Sequence, residues 1–398
     1  RSSGMDNYCN VLAEKYPEYE KELREYFEIE KNLMYESRNY KGVLSRKDVL
    51  RAPWKYKTIL RYWKYTLEDI FEKFDFPAEI RAVLAGRTGN LSASPKEVSF
   101  FVYSAMDVSY SESASYPKKG VHYLVGEVGK TIRDGKNCRI LLDTKVEDIE
   151  MDGGKVKSVK TSRGEIRGRN FISNLDPAET FRMVGRKEIS EEYRRKLNYR
   201  YSDSVICFYL GLKGVDLEKK GFKRGNIWHH SDLDLDREYL NEIEKNDFSK
   251  PWLFISVPSM YTDPGALCPK DCATFEILTF ANYDYFKGLF EKDKLEYEKR
   301  VKEIYEKTLD IVDKSYLSGI RGYIEESVVH TPLDMGRILG APKGNVYGIR
   351  MTPEYITHHR VANETPVKNL YLVGASSSFP GIMGVVKGAL GLFEAIGY

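Results

Sequence analysis

The closing stretch from Asn369 to Tyr398, NLYLVGASSSFPGIMGVVKGALGLFEAIGY, constrains the fold more than any other part of the chain. Leu370 to Val373 is a short apolar run of the kind that forms a fully buried strand. Gly374 ends it, a small polar loop follows, and Gly381-Ile-Met-Gly384 leads into a helix. Gly384, Gly388 and Gly391 then recur at i, i+4 and i+7, nearly on one helical face, each costing about 1 kcal/mol relative to alanine. Such a sequence needs something to approach the backbone closely. Strand, glycine turn and helix start together offer N–H groups and a positive dipole end, a natural seat for a phosphate or an electron-rich ring edge. A terminal strand packed tightly on its own helix explains the same pattern equally well.

The 398 residues suffice for two or three domains, and 42% apolar content supports a real core. A formal charge of +3 is too small to argue for nucleic acid, while 29 Tyr and 18 Phe predict an aromatic surface or cavity. No apolar run approaches the roughly 20 residues needed to span a bilayer, and no signal peptide is read. Five scattered cysteines (Cys9, Cys138, Cys207, Cys268 and Cys272) fit a reduced, cytoplasmic compartment. Cys268 and Cys272 lack the second pair a metal site would need. His229-His230 and His358-His359 read as surface loops, since adjacent side chains on a strand point apart.

Helical spacing of Leu23, Tyr26, Phe27, Leu33 and Met34 predicts helix over 8–36. Residues 50–72 mix Trp54, Tyr56, Tyr62, Trp63 and Tyr65 with Lys55, Lys57, Arg61 and Lys64. This composition suits either an ordinary amphipathic helix or one lying at a membrane interface. A helix is expected over Val121–Arg133, strands at 139–142 and 144–149, and then two turns separating strands at 156–161 and 165–172. Further strands are expected at 205–212, 252–257 and 274–280. A long amphipathic helix carries Tyr297, Val301, Ile304, Leu309 and Val312, extended chain follows over 328–333, and 350–366 reads as loop.

Taken in order, four passages resemble one family. YPKKGVHYLVGEVGKTI is similar to the YPKGG-plus-helix passage of flavin-dependent phytoene desaturases, carotenoid isomerases and retinol saturases. TKVEDIEMDGGKVKSVKTSRGEIRGRNFISNLDP resembles their flavin-domain hairpin with the Ser-Asn strand end. VVHTPLDMGRILGAPKGNVYGI resembles the passage before their C-terminus, and TPVKNLYLVGASSSFPGIMGVVKGALG their closing flavin-binding segment. SPKEVSF, VPSMYTDPGALCPKDCATFEILTF and YEKRVKEIYEKTL fit in order between them, so the likeness runs from about residue 8 to the end.

The resemblance implies an α/β, amine-oxidase-like FAD-binding fold: an incomplete Rossmann-type domain over 116–176 and 331–398, and an α+β substrate cap over 8–115 and 177–330. It implies FAD-dependent desaturation, saturation or isomerisation of an apolar isoprenoid or polyene, carotenoid- or retinoid-like, which the basic aromatic residues 50–65, by their composition, would let the chain reach from a membrane surface. By the same resemblance Val146 would contact adenine through its backbone, with Ser173 and Asn174 near the cofactor's path. Gly374 and Ala375 would meet the pyrophosphate and ribityl chain, and Gly384, Val385 and Val386 the flavin pyrimidine edge. Tyr283, Tyr285 and Tyr347 are assigned to the substrate cavity, and no catalytic acid or base stands out. The chain departs from the family in two respects, the first being Ala375 where many members place an Asp after the glycine, and the second its opening segment. Members begin with a strand, a GxGxxG turn and a helix that hold the pyrophosphate, and GxGxxG occurs nowhere here. A chain starting downstream of that segment, a partner chain that supplies the nucleotide-binding half, or a degenerate homologue would each account for it. The competing functions are a partner-dependent or non-catalytic subunit and a flavin amine oxidase.

Overall fold

Pro17 interrupts the first helical pattern. It opens a single 3₁₀ turn between helices Met5–Lys15 and Glu20–Arg38, so the periodicity over 8–36 becomes two helices. Leu23, Tyr26, Phe27 and Leu33 are buried along the second, with Tyr26 ringed by Phe71, Phe76 and Phe100. Residues 50–72 likewise divide, into a six-residue helix Lys57–Tyr62 and a separate helix Leu67–Lys73 started by a Thr66/Asp69 capping box. The computed structural model describes residues 4–38, 53–185, 189–356 and 360–397, so 50–52 and the pair His358-His359 lie outside the described residues.

After helix Val121–Asp134 the expected strand at 139–142 does not form. Its apolar residues Ile140, Leu141 and Leu142 are 41%, 56% and 72% exposed, and no described strand pairs with them. An extended run without a ladder partner gains no hydrogen bonds from being a strand. Strands β1 (Val146–Asp152), β2 (Lys155–Thr161) and β3 (Gly164–Arg167) then form an antiparallel meander, with Gly153 and Gly154 at positive φ in the first turn. The run expected as one strand over 165–172 splits. Gly164–Arg167 stays with β2, and β4 (Phe171–Ser173) leaves to pair elsewhere.

Five strands make the largest sheet: β5 (Ser204–Lys213), β6 (Ile227–His229), β7 (Leu253–Ser256), β8 (Cys272–Ala281) and β9 (Ile324–His330), in the order β6-β7-β8-β5-β9. All its pairings are antiparallel. One face carries Ile206, Phe208, Leu210, Leu212, Phe275 and Ile277, nearly all fully buried with Ile304, Leu309 and Val312 of helix Lys294–Ser315. The last strand, β10 (Leu370–Leu372), pairs parallel with β4, and helix Ile382–Ala395 follows it.

Two compact units result. The first comprises Arg1–Leu124, Asp203–Val346 and Met351–Pro353, and the second Val125–Ser202, Tyr347–Arg350 and Glu354–Tyr398. These limits differ from the sequence-based ones at four places: 116–124 and 351–353 fall in the first unit, and two longer stretches move for reasons of packing. Residues 177–202 join the second unit because Phe181, Val184, Ile189 and Tyr199 share a core with Ile149, Leu370 and Leu372. Residues 331–346 join the first. Helix Pro332–Leu339 ends the expected extended run early, and its Met335 is buried with Val205, Trp252 and Phe280.

Candidate active site

In the second unit, two parallel strands end side by side. Leu372 pairs with Ser173, and the Val373 N–H donates to the Ser173 carbonyl at 2.9 Å. This register delivers Ser173-Asn174 and Gly374-Ala375 to the same place, the carboxyl end of a parallel pair, where ligands of open α/β sheets bind. Gly374 has φ +110°, and a Cβ there would stand 2.7 Å from the Asn174 Oδ1. A glycine is therefore required by both conformation and space. Ser173 Oγ lies 2.8 Å from Thr180 Oγ1, so its hydroxyl is engaged within the turn.

Asp176 ties this corner together. It caps helix Pro177–Val184, and its Oδ1 accepts from the Ala178 N–H and the hydroxyls of Tyr199 and Tyr201 at 2.9 to 3.0 Å. Its Oδ2 accepts from Ser376 at 3.4 Å, which links the turn after β4 to the loop after β10. Burial, and then the charge of Asp176, pushes both tyrosines well above the ordinary phenol range. Ser376, Ser377 and Ser378 are all buried in that loop. Arg360 donates to the Ala375 carbonyl at 3.1 Å and lies over the Phe379 ring at 4.5 Å, where burial lowers its guanidinium to about 10. Asn369, just before β10, clamps the Val156 N–H and carbonyl at 2.8 and 2.9 Å and so fastens the meander to the pair.

Helix Ile382–Ala395 begins at Gly381, which has φ +81°, no side-chain cap, and open space where a Cβ would be. Ile382 and Met383 in its first turn are 54% and 68% exposed, and Val386 is 45% exposed. The glycine stripe has a local cause in part. A Cβ on Gly384 would meet the Phe379 carbonyl at 2.3 Å, and one on Gly388 the Ser378 Oγ at 1.8 Å, whereas Gly391 faces open space. The first two glycines thus let the helix lie against the loop that precedes it.

The structure brings Ser173, Asn174, Gly374 and Ala375 together, with Gly384, Val385 and Val386 on the helix that continues from them. Val146 opens β1 opposite Thr161 and is 37% exposed. Tyr283 and Tyr285 lie on helix Tyr283–Lys292 of the first unit, where Tyr285 packs against its core, while Tyr347 belongs to the second unit and donates its N–H to Ser202. A small cavity of about 10 Å³ is lined by Thr88, Gly89, His230, Tyr239, Trp252 and Phe280 among others. That is room for about one water. His229 and His230 are half-buried rather than in surface loops: His229 meets Tyr316 at 2.8 Å, and His230 meets Glu238 at 2.7 Å. Asp176 and Asn369 went unread as site residues. The signal for the first was present, an Asp-Pro helix start immediately after a strand.

No protein-family model matches the chain. Several solved structures do. It superposes on a putrescine oxidase with a TM-score of 0.59 at 10% identity, covering 96% of this chain and 75% of that one. On an oxidoreductase from Methanosarcina mazei the score is 0.58 at 15% identity, over 89% and 74%. The fold is amine-oxidase-like. Among curated proteins, this amine-oxidase-like chain is 26% identical over 353 residues to the all-trans-retinol 13,14-reductase of Danio rerio, covering 83% of this chain. It is 25% identical over 286 residues to the lycopene-forming phytoene desaturase of Pseudescherichia vulneris, covering 69% of this chain. It spans 57% of the first relative's length and 54% of the second's. Retinol- and carotenoid-converting oxidoreductases are thus the relatives that the resemblance implied.

Proposed function

We propose that this chain carries the flavin-ring end of an FAD-dependent oxidoreductase that desaturates, saturates or isomerises an apolar polyene or isoprenoid. One observation carries the reading: two parallel strands deliver Ser173-Asn174 and Gly374-Ala375 to one corner, and an uncapped helix follows directly. The residues fit such a group. Gly381 leaves open space at the helix start, and its positive dipole end suits the electron-rich edge of a flavin. The corner turns would hold the ribityl and phosphate portion, Gly384, Val385 and Val386 the ring edge, and Val146 the adenine through its backbone. Flavin supplies hydride transfer to or from carbon. The chain's own part is to position it: Asp176 fixes the two turns against each other, and Arg360 braces the Ala375 carbonyl. The relatives' names support a polyene substrate.

A second observation favours a partner-dependent arrangement. Helix Val121–Asp134 buries none of its residues, with Val125 67% exposed, and Leu390 and Phe393 of the closing helix are 59% and 54% exposed. A segment bearing GxGxxG, on the same polypeptide or a partner, would cover such faces. The five free cysteines suit a cytoplasmic setting. Residues 53–65 would meet a lipid surface, an interface that liposome flotation reads out. The test of function is co-purification of flavin, measured as its visible absorption band. The purified chain, alone or co-expressed with a GxGxxG-bearing partner, should retain it. A colourless product from both preparations would leave only the non-catalytic reading. Turnover of amines in place of polyenes would select the amine oxidase.

A further inference from the structure

The turn that enters the central strand β8 carries two of the five cysteines. Both belong to the first unit, whereas the flavin corner belongs to the second. The Cys272 N–H donates to the Pro269 carbonyl at 3.0 Å, which closes Pro269-Lys270-Asp271-Cys272 into a tight turn. The sheet anchors the far side of that turn. Cys272 opens β8 opposite Lys213, and the Asp271 carbonyl accepts from the Gly214 N–H at 3.1 Å. Cys268 stands just before the turn and folds back over it, its thiol donating to the Cys272 carbonyl at 3.1 Å.

The other three cysteines are placed differently. Cys9 and Cys207 are buried, and burial pushes the Cys207 thiol up to about 12. Cys138 is exposed and lies in the second unit. Cys268 and Cys272 are half-buried, and the Cys272 thiol points at Asp271 Oδ1, 3.7 Å away. Burial and then the Asp271 carboxylate raise Cys272, while burial and then the neighbouring Cys272 raise Cys268. Both thiols therefore rest protonated, which keeps the pair reduced until an oxidant accumulates. Among the described residues no group of three or more His, Cys, Asp or Glu could hold a metal ion. Thiol redox chemistry is what remains for the pair.

We propose that Cys268 and Cys272 are a reversible oxidation site, a dithiol that a peroxide converts to a disulfide. Two thiols bridge without strain only where the backbone already brings them close. Here the Cys268 sulfur touches the main chain of Cys272, so side-chain rotation brings the sulfurs together. The more accessible Cys272 reacts first. Its sulfur attacks a peroxide oxygen, the O–O bond breaks, and the departing oxygen takes the thiol proton, leaving a sulfenic acid. The Cys268 sulfur then attacks the Cys272 sulfur, the S–S bond forms, and the hydroxyl leaves as water with the Cys268 proton. In sum the thiols give up two protons and two electrons, and hydrogen peroxide becomes two waters. A disulfide this exposed is the labile kind that thiol reductants reopen.

The experiment treats the chain with hydrogen peroxide, unfolds it, alkylates the remaining thiols and measures the mass. Five thiols take label before treatment, and three should afterwards. Trypsin cuts after Lys270, between the two cysteines, so the disulfide should appear as two joined peptides that dithiothreitol separates. Cys138→Ser should give the same joined pair. Cys268→Ser should melt like the wild type and leave the sulfenic acid on Cys272, where dimedone captures it. Five labels retained after peroxide, a link that runs through Cys138, or no dimedone adduct on Cys272 in Cys268→Ser would each overturn the proposal. None of these measurements involves flavin, so this proposal and the redox reading can fail separately.

Discussion

Single residues decide whether the glycine stripe of the closing helix serves packing or a ligand. Gly388 lies where a Cβ would overlap Ser378 Oγ, at 1.8 Å, while Gly391 looks into open space. Alanine is the better helix former by about 1 kcal/mol at either position, so propensity alone predicts two equal gains. Packing splits them. Gly391→Ala should raise stability by about 0.5–1 kcal/mol, and Gly388→Ala should lower it by about 1–3 kcal/mol through overpacking. Urea denaturation of both variants measures the difference, and equal shifts would refute the packing account. Spacing shows that glycines recur, but not what stands above each one. The pattern therefore identified the stripe without separating the two packed positions from the open one.

Among the elements, the core-facing strands were the most legible. β5, β7, β8 and β10 fall within a residue or two of their apolar runs, because alternation or continuous burial leaves a direct trace in sequence. The errors occur where tertiary pairing decides. Arg139–Leu142 is as apolar as a strand but finds no partner, and the run 165–172 divides because Phe171 is drawn to Leu370, far away along the chain. The candidate site was legible only through family order. Ser173 and Gly374 are about 200 positions apart, and nothing local announces that they meet. The basic aromatic segment is likewise reshaped. Instead of one long amphipathic helix there are two short ones, and in and before the first of them Trp54 is 83% and Leu60 50% exposed near Lys55, Lys57, Arg61 and Lys64. Indole and ammonium groups so placed suit an anionic lipid surface. Trp54→Ala/Trp63→Ala should reduce flotation with phosphatidylserine liposomes several-fold, and equal flotation of variant and wild type would remove the membrane from the account.

At the scale of the molecule, two units carry two kinds of surface. The first unit holds an antiparallel sheet with one face sealed by helix Lys294–Ser315 and the other packed against Tyr239, Trp252 and Met335. The second holds a pair of parallel strands, an uncapped helix and apolar side chains left in solvent, Met383 at 68% and Leu142 at 72% among them. Parallel strands are normally covered on both faces, which is the ground on which a covering segment is proposed. The amine-oxidase-like fold and the retinol- and carotenoid-converting relatives support the proposed redox reading, and that corner is where the proposal puts its site. The most direct test is flavin affinity of the wild type and of Met383→Asp, measured by visible absorbance in the preparation that retains flavin. A carboxylate in the first turn stabilises a helix, so the variant's flavin-free melting should hold or rise. The same charge would repel the electron-rich ring edge, and flavin affinity should fall about tenfold or more, the worth of about 1.4 kcal/mol. Undiminished flavin affinity in Met383→Asp would contradict the placement of the ring at the start of the closing helix.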